Sequence, residues 1–66
     1  MEDEIWLIEA LADVLIWEVA HPEQYRYVKV MGDFGAACCL TAYLEENGYE
    51  VIFEPLGIYN QITIER

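Results

Sequence analysis

The sequence predicts an α+β fold: a two-layer αβαββ sandwich in which two helices cover one face of a three-stranded mixed sheet. Two stretches repeat their apolar residues at helical spacing and three alternate at strand spacing. Pro22, Gly32, Gly48 and Gly57 fall between these stretches, where turns belong. With 66 residues the chain reads as one small domain, 1–66. A domain of this size buries only about 60% of its unfolded surface, so its stability is marginal and dimerisation is one source of help.

The first helix is predicted over Glu2 to Ala20, EDEIWLIEALADVLIWEVA. At 100° per residue Ile8, Leu11, Leu15 and Val19 share one face, flanked by Leu7, Ala12 and Val14, and this face is expected to meet the core. Glu2, Glu9, Asp13 and Ala20 lie opposite it. Glu2, Asp3 and Glu4 stand in the first turn, where unpaired backbone N–H groups and the macrodipole favour negative charge. Pro22 cannot continue the helix past His21. Trp6 and Trp17 fall on nearly the same side, beside the acidic stripe, which makes the two indoles candidate dimer contacts.

Tyr25 to Met31, YRYVKVM, alternates and is rich in β-branched and aromatic residues, hence the first strand. Gly32 turns the chain and Asp33 is a good N-cap for a second helix, in which Phe34, Ala37, Cys38, Thr41 and Leu44 recur until Asn47-Gly48 ends it. Tyr49 to Pro55 and Ile58 to Glu65 are two further alternating stretches. A two-residue turn at Leu56-Gly57 sets Val51 against Ile62 and Tyr49 against Ile64 on an apolar face. It sets Glu50 against Thr63, Ile52 against Gln61 and Glu54 against Tyr59 on a wet one. A right-handed crossover through the second helix makes the first two strands parallel. The clean alternation of the third strand, and its lack of proline, favour a central place and the order 1-3-2 over 1-2-3.

Thirteen acids face three bases, Arg26, Lys29 and Arg66, for a net charge of −10, while 56% of the residues are hydrophobic. That apolar content is incompatible with a disordered acidic tail. Direct nucleic-acid binding lacks the cations that supply nonspecific affinity, and the natural partner of this surface is a basic one. No apolar run approaches the roughly 18 residues of a membrane span and the acidic start lacks the cationic region of a signal peptide, so the expected location is the cytoplasm. Cys38 and Cys39 are neighbours that point about 100° apart on a helix; they form no ordinary bridge and read as half-buried residues in a reducing compartment.

No motif points to catalysis, a metal or a cofactor. Asp33-Phe34-Gly35 matches the kinase metal-binding tripeptide but lacks the glycine-rich loop, lysine and catalytic loop that give it meaning, and here it starts a helix. Gly32-Asp33-Phe34-Gly35 has the GxxG form of an RNA-binding clamp, yet carries an aspartate and no flanking base. His21, the single histidine, has no partner at a ligand or nucleophile-base spacing and is expected to help end the first helix.

The acids therefore supply the candidate partner-binding residues: Glu2, Asp3, Glu4, Glu9, Asp13, Glu45, Glu46, Glu50, Glu54 and Glu65. Glu45 and Glu46 oppose the dipole at the end of the second helix, so helix stability does not explain them. Glu9 and Asp13 are about 6 Å apart along the first helix, of the order of the phosphate spacing on a DNA strand.

A very short, strongly acidic αβ chain without a catalytic motif resembles the small phage-encoded anti-CRISPR proteins, in particular the type I inhibitors that mimic DNA. The resemblance is one of size, charge and the acidic helix Glu2 to Glu18. It implies binding to a basic DNA channel of a CRISPR surveillance complex and competitive exclusion of target DNA, without a cofactor. The alternative is an antitoxin-like or regulatory homodimeric module that uses Trp6, Trp17 and the tyrosines of the wet sheet face as its contact.

Overall fold

Residues 4–65 are described by the computed structural model, and five elements follow one another in the expected sequence: α1 (Ile5–Ala20), β1 (Arg26–Met31), α2 (Phe34–Glu46), β2 (Glu50–Pro55) and β3 (Asn60–Glu65). The strand order is β1-β3-β2, with both helices on one face. Because β3 separates the two parallel-running strands, every pairing is antiparallel. The sheet is mixed only in the sense that β1 and β2 share a direction without touching.

α2 begins and ends by local chemistry alone. Asp33 caps it, its carboxylate accepting from the Ala36 amide at 3.1 Å. At the other end Tyr49 N–H donates to Leu44 O at 3.1 Å and Gly48 N–H to Glu45 O at 3.0 Å, with Gly48 at φ +91°. This is the Schellman arrangement, which satisfies carbonyls that the last turn leaves open. α1 starts later than expected. Glu4 is its N-cap residue and makes no side-chain capping bond, so the first turn holds no acid, and Glu2 and Asp3 lie outside the described residues. His21 does close the helix, its amide donating to Trp17 O at 2.8 Å.

The β2–β3 hairpin keeps its predicted faces but not its predicted register. Val51 opposes Ile64 and Phe53 opposes Ile62, two residues away from the Leu56-Gly57 alignment. The turn centres on Gly57-Ile58 instead, closed by Leu56 N–H donating to Tyr59 O at 2.9 Å. The reason lies in Gly57, whose φ is +92°. Placing glycine first in the turn lets Ile58 keep a negative φ, whereas glycine in second place would have forced Leu56 into the left-handed region as well. An even slip leaves every side chain on its face.

The core lies between the helices and the face of the sheet that carries Tyr27, Met31, Val51, Phe53, Ile62 and Ile64. Leu40, Leu44, Ile62 and Ile64 are fully buried within it, and Phe34 at the start of α2 leans on Phe53 with ring centroids 5.5 Å apart. α1 presents to this core a face other than the expected one. Ala10, Val14 (3% exposed) and Trp17 (6%) are buried, while Ile8, Leu15 and Val19 face outward and Leu11 is half-buried. The Trp17 ring meets Tyr27 edge-on at 5.5 Å and its indole N–H donates to Gln24 Oε1 at 3.0 Å. A large aromatic with a satisfied polar handle is what the centre of this interface needs.

Candidate protein-binding surface

The sheet face turned away from the helices is a three-by-three array set by the two strand registers. Its rows are Arg26, Glu65, Glu50; Val28, Thr63, Ile52; and Val30, Gln61, Glu54. In the first row Arg26 Nε donates to Glu65 Oε2 at 2.8 Å, which leaves Glu50 beside an already paired carboxylate. In the third, Gln61 Nε2 reaches Glu54 Oε1 at 3.5 Å. The middle row is apolar at its ends, and Thr63 is buried between Val28 and Ile52. The expected wet face is thus polar in its first row and at the Gln61–Glu54 corner, with Val28, Val30 and Ile52 exposed across it. The alternation that sorts the strands is real, but each face of β1 carries one base and two apolar or aromatic residues: Arg26 with Val28 and Val30 outside, Lys29 with Tyr27 and Met31 inside.

The candidate acids divide into two groups. Glu45 and Glu46 close α2 and are exposed. The Schellman turn carries the chain directly from them to Glu50, and Glu54 follows two pleats along β2. On the opposite side, Asp13 shares a shallow cleft with Trp17, Arg26 and Val28 at the β1 edge, with Glu9 one turn before it on α1. Glu4 is exposed at the N-cap of α1. Among the described residues Glu9, Asp13, Glu45, Glu46, Glu50 and Glu54 make no ion pair; the two pairs present are Arg26–Glu65 and His21–Glu23, the latter at 3.9 Å.

The two candidate aromatic contacts are not surface groups of equal standing. Trp17 belongs to the core, and Trp6 is half-buried against it. A pair of indoles bordering solvent is therefore not what α1 offers. Its outward face instead carries Ile5, Ile8, Ala12, Leu15, Ile16 and Val19, all exposed. The sequence shows this outer set at helical spacing, but a second apolar set, Ala10, Val14 and Trp17, occupies the core in its place.

One further contact was not foreseen. Tyr49, just before β2, donates its hydroxyl to Glu18 Oε2 at 3.1 Å. Burial, then the hydrogen bond and the negative charge of Glu18, raise the Tyr49 pKa above its ordinary value of 10.0. Among the described residues no group of three or more His, Cys, Asp or Glu is arranged to hold a metal ion, and no helix is long and apolar enough to cross a membrane. Neither protein-family models, nor curated proteins, nor solved structures gave a match to this chain.

Proposed function

We propose that this chain is an acidic inhibitor that works by occupancy: it docks on a basic, DNA-binding surface of a partner complex and competes with DNA for it. The specific reading is an anti-CRISPR protein of the DNA-mimic kind, made by a phage, acting in the host cytoplasm on a type I surveillance complex and needing no cofactor. The observation that carries it is the set of six exposed carboxylates, Glu9, Asp13, Glu45, Glu46, Glu50 and Glu54, that have no cationic partner among the described residues. Surfaces that only need solubility intersperse both signs of charge. Here self-repulsion is tolerated instead, which makes sense when a partner supplies the cations.

The test is a competition assay. The protein is used to retain its partner from host extract, and duplex DNA is added at increasing concentration and salt. DNA should release the partner, and retention should weaken steeply with salt because both ligands address the same basic groove. Charge reversal of Glu9 with Asp13, and of Glu50 with Glu54, should leave the fold intact and lower the association rate for at least one pair. If both double reversals compete as well as the parent, DNA mimicry is wrong.

A further inference from the structure

α1 carries two apolar seams on opposite sides. Leu7, Ala10, Val14 and Trp17 form the inner one, packed within or against the core. Ile5, Ile8, Ala12, Leu15 and Val19 form the outer one, spaced by three, four, three and four residues, with Ile16 beside it. That is the alternating a and d spacing of a coiled-coil seam, sustained over the whole helix and turned away from the rest of the chain. Ile8 is 58%, Ile16 64% and Val19 83% exposed. An apolar stripe of this kind has a cost in water that nothing within residues 4–65 relieves.

The geometry points to a second copy of this chain as the occupant, the two outer seams of α1 packing antiparallel about a two-fold axis through Ala12. Two features select this arrangement. The seam is nearly palindromic: about Ala12, Ile5 meets Val19 of the other copy, and Ile8 meets Leu15 and Ile16. A two-fold contact needs such self-complementarity. The small residue at the axis lets the helices approach closely.

The area suffices for a weak but specific pair. The exposed parts of these six side chains come to roughly 500–600 Å², at the upper end of the largest apolar patch that monomers show. Two facing seams would cover about 1,100 Å², close to the lower bound of specific interfaces. The contact uses neither Glu50 nor Glu54 and leaves the sheet-side acids open, whereas Glu9 borders it on α1, so reversal of Glu50 with Glu54 tests the proposed inhibition apart from the dimer.

Sedimentation over a range of concentrations tests it. The chain should pass from monomer to dimer, and added salt should favour the dimer by screening the net charge of −10 on each copy. Ile16→Glu and Val19→Glu should each raise the dimer dissociation constant by about tenfold or more, because a two-fold contact counts every substitution twice. Both sites are exposed, so the helical circular dichroism of the monomer should be unchanged. With Cys38 and Cys39 replaced by alanine, Ala12→Cys should cross-link to a second copy on oxidation and Ala20→Cys should not. A chain that stays monomeric at high concentration, or a dimer indifferent to both glutamates, overturns the proposal. So does a monomer whose partner binding is lost in the same two variants, since the seam then belongs to the partner.

Discussion

The Tyr49 hydroxyl is bonded to Glu18 across 31 positions of sequence, tying the last turn of α1 to the residue that leads into β2. With the Trp17–Gln24 hydrogen bond at 3.0 Å, this bond helps to orient a helix whose apolar contacts are nondirectional. Tyr49→Phe should cost about 1 kcal/mol, the ordinary net worth of a partly buried hydrogen bond. Chemical denaturation near neutral pH measures it.

The same bond sets an alkaline limit. The folded pKa of Tyr49 is raised, which means the neutral hydroxyl is favoured in the native state. Its contribution is complete below the ordinary value of 10.0 and is lost as pH rises through the higher folded value. Stability should therefore fall above pH 10 more steeply in the parent than in Tyr49→Phe, as followed by thermal melts across that range. Parallel curves for the two proteins would remove the role assigned to the bond.

The two seams of α1 predict opposite responses to truncation. Trp17→Ala should cost about 3–5 kcal/mol and Val14→Ala somewhat less, each opening a cavity in the core. Leu15→Ala and Val19→Ala should cost under about 0.5 kcal/mol when measured dilute enough to keep the chain monomeric. Urea midpoints of the four variants decide which seam is inside.

That choice of seam was the principal feature not legible in the sequence. Helical periodicity reports that Ile8, Leu15 and Val19 share a face; it does not report that this face looks inward when Ala10, Val14 and Trp17 form a second one. What separates the seams is shape. A large indole and a small alanine fit between a sheet and a neighbouring helix, and periodicity carries no volume. By contrast the ends of α2 were legible, because Asp33 and Asn47-Gly48 act through their own backbone neighbours. The central place of β3 was legible too, since Asn60, Ile62, Thr63 and Ile64 are all buried, as a strand with neighbours on both sides requires. The hairpin offset is encoded in Gly57, because a turn that puts glycine first requires a positive φ of no other residue, whereas pairing apolar residues alone does not distinguish the two offsets.

Gly57 gives a direct check of the turn conformation, and cross-strand contacts check the offset. A Cβ there meets nothing within 4 Å, so Gly57→Ala tests backbone conformation and not space. It should cost about 1–2 kcal/mol for forcing a side chain into the left-handed region. Gly48→Ala, equally unhindered at φ +91°, should behave alike. Cross-strand nuclear Overhauser contacts should join residue 53 to 62 and residue 51 to 64; a contact joining 51 to 62 in the opposed positions would reinstate the other register.

Arg26 links the fold to the acid surface and separates the two groups of carboxylates. It neutralises Glu65, and Glu65 stands opposite Glu50 in the central strand pairing. Removing the guanidinium in Arg26→Gln leaves two like charges facing each other across the β2–β3 ladder, a pairing that disfavours the sheet. Because Arg26 is largely exposed, the loss of stability should stay below about 1 kcal/mol and shrink with added salt. The effect on the proposed partner binding depends on where a basic surface would dock. If it meets the open sheet face, the variant presents Glu50, Glu54 and an unpaired Glu65 together, and association should accelerate at low salt. If it meets Glu9 and Asp13 on α1, the substitution also removes a cation that lines the cleft beside Asp13, but it leaves Glu50 and Glu54 irrelevant. Combining Arg26→Gln with reversal of Glu50 and Glu54 therefore distinguishes the two: docking on the sheet predicts that the reversal abolishes the gain, whereas docking on α1 predicts that the gain survives it.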